Sequence, residues 1–174
     1  LGKLDEAVEN CQKALAIKPN FAEAYNNLGN TFKELGRLDE AVENCQKALS
    51  IKPDYAEAHN NLGIALQDQG LLDEAVTSYQ KAIAIKPDYV EAWTNLGNTF
   101  QKLGKLDEAI KRYQKAVTIK PDYAEAHSNP GNTFQELGKM DEAMTNYQKV
   151  LAINPDCAEA HNSIGNIFTK LGSL

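Results

Sequence analysis

The chain has 174 residues, of which 24% are charged, and a formal net charge of −6. An acidic chain carries no basic field for a phosphate backbone, which argues against nucleic acid as a partner. No apolar run approaches the roughly 20 residues that span a bilayer, so no membrane partner is expected, and three cysteines without a C-x-x-C pair suggest neither a disulfide framework nor a metal site.

A period of 34 residues governs the whole chain, as in IKPDYAEAHNNLG from Ile51, IKPDYVEAWTNLG from Ile85 and IKPDYAEAHSNPG from Ile119. Such self-similarity is the signature of a stacked repeat architecture. With the Ala or Val after each Asp-Tyr, Asn-Phe or Asp-Cys as position 1, residues 1–21 read as the second helix of a partial repeat. Complete repeats follow at 22–55, 56–89, 90–123 and 124–157, and residues 158–174 read as the first helix of another partial repeat. The whole is expected to be one domain, 1–174.

In the opening helix Cys11 sits 34 residues before Cys45, at the phase where later repeats carry Tyr79, Tyr113 and Tyr147. Both cysteines are therefore expected to fill the core as small apolar side chains. Cys157 falls in a connecting turn and is expected to be an exposed thiol, and the cysteine usage fits a reducing compartment such as the cytoplasm. In the first full repeat Tyr25, Leu28, Gly29 and Phe32 follow the i, i+3, i+4, i+7 spacing of one helix face. Leu38, Ala41, Val42, Cys45, Ala48 and Leu49 do the same for a second helix, and each later repeat copies the pair.

The punctuation agrees. Pro19, Pro53, Pro87, Pro121 and Pro155 end the second helices, and Gly36, Gly70, Gly104 and Gly138 close the first ones, where a left-handed conformation suits glycine. Asp54 with Glu57, Asp88 with Glu91 and Asp122 with Glu125 are spaced as capping boxes for the helices that follow. Small residues at position 8 (Gly29, Gly63, Gly97, Gly131, Gly165) and position 20 (Ala41, Ala75, Ala109, Ala143) let two helix axes approach closely. One pair cannot bury its apolar faces alone, so the fold class is all-α, a helical solenoid of antiparallel pairs stabilised by stacking. Pro130 stands where the other repeats have Leu, and its missing amide predicts a kink between Ala126 and Pro130 at a local cost of about 3 kcal/mol.

These residues carry a resemblance. An aromatic or His at position 4, Leu-Gly at 7 and 8, an aromatic or Leu at 11, Ala at 20, an aromatic or Cys at 24, mostly Ala at 27 and Pro at 32 make the chain similar to a tetratricopeptide repeat (TPR) array over its full length. The departures are Pro130 at position 7 and Val150 at position 27. The resemblance implies a right-handed superhelix whose first helices line a concave groove that holds a peptide or another protein.

With positions 4, 7, 8 and 11 turned inward, positions 2, 5, 6, 9 and 13 occupy the opposite flank of each first helix. Position 6 reads Asn27, Asn61, Asn95, Asn129 and Ser163; position 9 reads Asn30, Ile64, Asn98, Asn132 and Asn166; position 5 adds Asn26, Asn60 and Asn162. Asparagine is a mediocre helix former, and its amide offers two donors and an acceptor that match a peptide unit. Neighbouring first helices about 8–10 Å apart would meet an extended peptide at about every third residue. The candidate peptide-binding residues are Asn27, Asn30, Asn61, Asn95, Asn98, Asn129, Asn132 and Asn166. The position-6 run is similar to the asparagine ladder in the TPR arm of O-linked N-acetylglucosamine transferases. The other reading is that these amides hydrogen-bond between adjacent repeats. A clamp for a C-terminal carboxylate would need Lys or Arg beside them, and positions 5 and 6 hold none. Glu at position 2 reads as a cap, and Lys33, Lys102 and Lys170 as solvated cations.

No catalytic constellation emerges. His59, His127 and His161 share position 4 with Tyr25 and Trp93 and read as interface packers in separate repeats. No metal-binding, phosphate-binding or nucleophile-elbow motif is present, so no enzyme activity, cofactor or metal is expected. The function expected is a protein-binding scaffold; the alternatives are the substrate-recognition arm of a larger enzyme, such as a glycosyltransferase, and a self-assembling structural module. The chain begins on an orphan second helix and ends on an orphan first helix, which reads as an excerpt of a longer array. Head-to-tail self-association through those helices is accordingly expected; a monomer mass independent of concentration in light scattering would contradict it.

Overall fold

The computed structural model describes residues 2–172; Leu1, Ser173 and Leu174, which the repeat bounds above include, lie outside the described residues. Among the described residues the chain is all α-helix, in the order α1 (Gly2–Ile17), α2 (Ala22–Glu34), α3 (Leu38–Ile51), α4 (Ala56–Asp68), α5 (Leu72–Ile85), α6 (Val90–Lys102), α7 (Leu106–Ile119), α8 (Ala124–Glu136), α9 (Met140–Ile153) and α10 (Ala158–Gly172). This is a helical-repeat solenoid. It divides into two compact units, one up to Ala92 and one from Trp93 on, with the division inside α6.

Three-residue connections reverse the chain within each pair, and a glycine makes each of them. Gly36, Gly70, Gly104 and Gly138 have φ of 72°, 81°, 71° and 72°. At the first, the Gly36 amide donates to Lys33 O at 2.9 Å and the Arg37 amide to Phe32 O at 2.8 Å. That pair of bonds is a Schellman motif, which satisfies carbonyls a helix end leaves open.

The helix starts differ from the capping boxes expected at Asp54 and Asp122. The cap residues are the aromatics one place later, Phe21, Tyr55 and Tyr123, in extended backbone and with no side-chain capping bond. Their carbonyls take the opening helical bonds, as from Tyr25 N to Phe21 O at 3.2 Å. An aromatic at the cap packs under the lysine three residues before it: Lys18 lies 4.5 Å over Phe21, Lys52 4.7 Å over Tyr55, Lys86 4.8 Å over Tyr89 and Lys120 5.5 Å over Tyr123. Cation–π contact therefore holds the turn in place of a carboxylate. The position-2 glutamates do not cap either; Glu23 faces Lys52 at 3.9 Å and Glu57 faces Lys86 at 3.7 Å.

Inside each pair the position-8 glycine lies against the residue at position 24. A Cβ on Gly29 would stand 2.6 Å from Cys45 Sγ, one on Gly63 2.6 Å from the Tyr79 ring, one on Gly97 2.5 Å from the Tyr113 ring and one on Gly131 2.8 Å from the Tyr147 ring. None of these leaves room for a methyl group. Tyr79, Tyr113 and Tyr147 and the position-20 alanines are almost completely buried.

In the first unit Leu28, Phe32, Ala41 and Ala65 form a core to which Val8, Cys11 and Leu15 add. In the second, Ala143, Tyr147, Val150, Ala160 and Ile167 do so, and Cys157 packs against them half-buried, not exposed as expected. Burial pushes the Cys11 thiol up and the Cys45 thiol up to about 12, so both stay protonated, apolar fillers.

Pro130 is buried within α8, which runs unbroken from Ala124 to Glu136. The first turn of α8 opens with a bond from Ala126 N to Tyr123 O at 3.0 Å, as α2 opens from Ala24 N to Phe21 O at 3.1 Å, so this turn is not particular to the proline. Two stability changes follow. Pro130→Leu should raise the free energy of urea unfolding by up to about 3 kcal/mol, whereas Gly97→Ala should lower it by about 1–3 kcal/mol because the Tyr113 ring must move. A fall for the first or no change for the second would contradict this packing.

Candidate functional site

The first helices present their asparagines at positions set by the glycine contact behind them. Positions 8 and 6 lie two residues apart, about 200° around the helix axis. Packing the glycine inward therefore turns the position-6 side chain away from the pair. Threonine reinforces this: the hydroxyls of Thr31, Thr99 and Thr133 donate back to the carbonyls of Asn27, Asn95 and Asn129 at 2.8, 2.8 and 2.9 Å. These buried threonines escaped the sequence reading. The Asn-x-x-x-Thr spacing in three repeats was the available signal.

Within the first unit, Asn61 Nδ2 donates to Asn26 Oδ1 at 2.9 Å, and Asn26 Nδ2 reaches the Tyr55 hydroxyl at 3.4 Å. Asn26 and Asn60 are buried while Asn162 is exposed, so Asn26 faces α4 through its bond to Asn61 and not the open flank on which it was expected. Asn27 and Asn30 are exposed.

Within the second unit, Asn129 Nδ2 donates to Asn98 Oδ1 at 2.9 Å. The Tyr113 hydroxyl, threaded beneath Gly97, donates to the same Asn98 oxygen at 2.8 Å. The Tyr147 hydroxyl does the same to Asn132 Oδ1 at 2.6 Å. Burial raises the pKa of both phenols, which keeps them neutral donors. Asn95, Asn98 and Asn129 are half-buried, while Asn132 and Asn166 are exposed. Asn132 also borders a recess of about 270 Å3 with Gln135, Glu136 and Lys170.

The hydrogen bonds sort the amides by sense. At position 6, Asn61 and Asn129 each donate one N–H within the chain, which leaves a second N–H and Oδ1 outside these bonds. At position 9, Asn98 and Asn132 commit Oδ1 inward and keep NH2 as donors. A face that offers both donors and acceptors can bond a peptide chain.

The histidines brace turns. The Nε2 atoms of His59, His127 and His161 donate to the carbonyls of Pro53, Pro121 and Pro155 at 3.0, 2.9 and 3.0 Å. His59 and His127 are buried and His161 is exposed. Burial lowers the His59 pKa from 6.5, and the nearby Lys81 lowers it further, against an opposing contribution from its bond to Pro53. Among the described residues no cluster of His, Cys, Asp or Glu is arranged to hold a metal ion, and no helix is long and apolar enough to cross a membrane.

This succession of paired helices defines a class, and the comparisons place the chain in it. It belongs to the TPR repeat family, matched at residues 1–36, 29–70, 68–104, 101–138 and 131–172. The crystal structure of MamA is 30% identical with a TM-score of 0.80, over 91% of this chain and 92% of that one. The crystal structure of YrrB, described as a TPR protein with an unusual peptide-binding site, is 25% identical with a TM-score of 0.76, over 93% and 84%. TTC0263, a thermophilic TPR protein from Thermus thermophilus, is 24% identical with a TM-score of 0.77 over 97% and 92%, and shares the fold. No curated protein gives a significant match. The family and fold are those of a protein–protein interaction scaffold, a module that is typically non-catalytic.

Two measurements check the site's construction. Tyr113→Phe should cost about 1 kcal/mol in urea denaturation, the net worth of its hydrogen bond; no loss would mean that the hydroxyl does not hold Asn98. His59, with its pKa depressed in the folded chain, contributes stability that is present above the unfolded pKa of about 6.5 and lost as pH falls below it. The melting temperature should therefore drop between pH 7 and pH 5, and His59→Tyr, the residue type at position 4 in Tyr25, should flatten that slope. An unchanged slope would show that His59 does not titrate as described.

Proposed function

We propose that the chain is a non-catalytic scaffold that holds an extended peptide or protein segment against the asparagine faces of its first helices. Each unit offers its own stretch of this face. The observation that supports the reading is that Asn98 and Asn132 accept internal bonds at Oδ1, which leaves their NH2 groups as donors, while Asn61 and Asn129 donate one N–H internally and retain Oδ1 as an acceptor. Every residue of an extended peptide other than proline presents one N–H and one C=O, so such a face recognises backbone more than side chains. Asn27, Asn30, Asn95 and Asn166 complete the set by register. YrrB is described as having a peptide-binding site, which fits this reading. The net charge of −6 works against an anionic backbone in the same place.

Peptides selected on the intact chain from a displayed random library provide the probe. The double variant Asn98→Ala, Asn132→Ala should bind them about tenfold more weakly, in line with two lost hydrogen bonds, with unchanged helicity by circular dichroism. Equal affinity in the folded variant would remove the asparagine face from the binding site.

A further inference from the structure

A second recognition surface lies on the other flank of the first helices. In α4, His59 and Asn61 are about 200° apart on the helix, and His59 lines a groove of about 600 Å3 formed with α3 and α5. Leu49, Leu62 and Ile85 give the groove apolar walls, and Ile85 is 39% exposed. Ser50 and Lys81 stand at its rim, both exposed.

Lys81 differs from its counterparts. Lys13 and Lys47, at the same repeat position, are tied one turn back to Glu9 at 2.7 Å and Glu43 at 2.6 Å. Lys81 has Thr77 there instead, whose hydroxyl turns to the Asp73 carbonyl at 3.1 Å. Among the described residues Lys81 forms no ion pair, and its charge is felt at His59 on the groove wall. A cation without an acid partner thus borders an apolar groove on a chain of net charge −6.

The arrangement recurs in the second unit, displaced by two periods. A groove of about 390 Å3 is lined by Thr118, His127, Pro130 and Lys149, the counterparts of Ser50, His59, Leu62 and Lys81. Lys149 likewise has a threonine one turn back, Thr145, bonded to the Asp141 carbonyl at 2.9 Å. Glu142 also lines this second groove and offsets Lys149, so the first groove is the more cationic.

We propose that the groove between α3, α4 and α5 docks a partner peptide carrying one or two aliphatic side chains beside a carboxylate. The aliphatic groups lie against Leu49, Leu62 and Ile85, and the carboxylate pairs with the Lys81 ammonium. The size fits this occupant, since about 600 Å3 falls within the range of ligand pockets. The charge sets the specificity. This surface is independent of the asparagine face.

The test is fluorescence anisotropy of the intact chain with a fluorescein-labelled Glu-Leu-Leu-Glu peptide and a Lys-Leu-Leu-Lys control. The acidic peptide should bind saturably and more tightly than the basic one, whose affinity reports any backbone recognition by the asparagine face. Lys81→Glu should weaken binding about fivefold or more, the upper range for an exposed pair. Ser50→Trp and His59→Trp should bring the acidic peptide down to the affinity of the basic one by filling the groove, with Asn98→Ala leaving the preference between the two peptides unchanged. Tryptophan already stands at position 4 in Trp93; should His59→Trp lose its helical circular dichroism, the exposed Ser50→Trp decides. No saturable binding, equal binding of both peptides, or undiminished affinity in Ser50→Trp overturns the proposal, as does a loss of the preference in Asn98→Ala alone.

Discussion

The contact of a bare glycine backbone with a buried side chain from the second helix of the same pair governs this structure. At Gly63 and Gly97 the space that a Cβ would need is occupied by a tyrosine ring. That approach fixes which flank of the first helix faces its partner, and with it the outward direction of position 6. It also threads the tyrosine hydroxyl through to the far side of the first helix, where Tyr113 reaches Asn98 and Tyr147 reaches Asn132. One packing decision thus positions both the core and the asparagine flank.

Much of this was legible in the sequence, for reasons that differ between features. The period, the helix pairs and the glycine turns could be read because each rests on local backbone chemistry, and the four turn glycines do adopt positive φ. The helix caps could not. Asp54 has the right chemistry, but the turn places Tyr55 at the cap, and the choice depends on how an aromatic packs beneath Lys52. Asn26 was misplaced for a related reason: helical geometry puts position 5 near the edge of the open flank, and the approach of α4, whose Asn61 bonds it, turns it inward. Cys157 was similarly drawn from its turn toward the Tyr147 cluster.

The asparagines show the limit most clearly. Their recurrence on one flank could be read from the chain, and so could two meanings, ligand contact or bonding between repeats. The structure contains the second: Asn129 donates to Asn98 across 31 residues, and that bond fixes which atom of each amide is engaged within the chain. Such a sense is invisible to periodicity because it depends on a partner nearly one repeat away. Pro130 belongs to the same lesson. It stands in a helix that continues unbroken from Ala124 to Glu136, so the single interior bond it deletes does not end the helix.

The central claim is that internal hydrogen bonds aim the asparagine amides so that donors and acceptors alternate on the outer flank. Side-chain amide resonances in a 15N-correlated NMR spectrum test it most directly, using a peptide bound to that flank. The account predicts that the NH2 signals of Asn98 and Asn132 shift on binding more than those of Asn61 and Asn129, which already donate one hydrogen within the chain. Shifts of Asn61 and Asn129 as large as those of Asn98 and Asn132, or no shift in either pair, would contradict it.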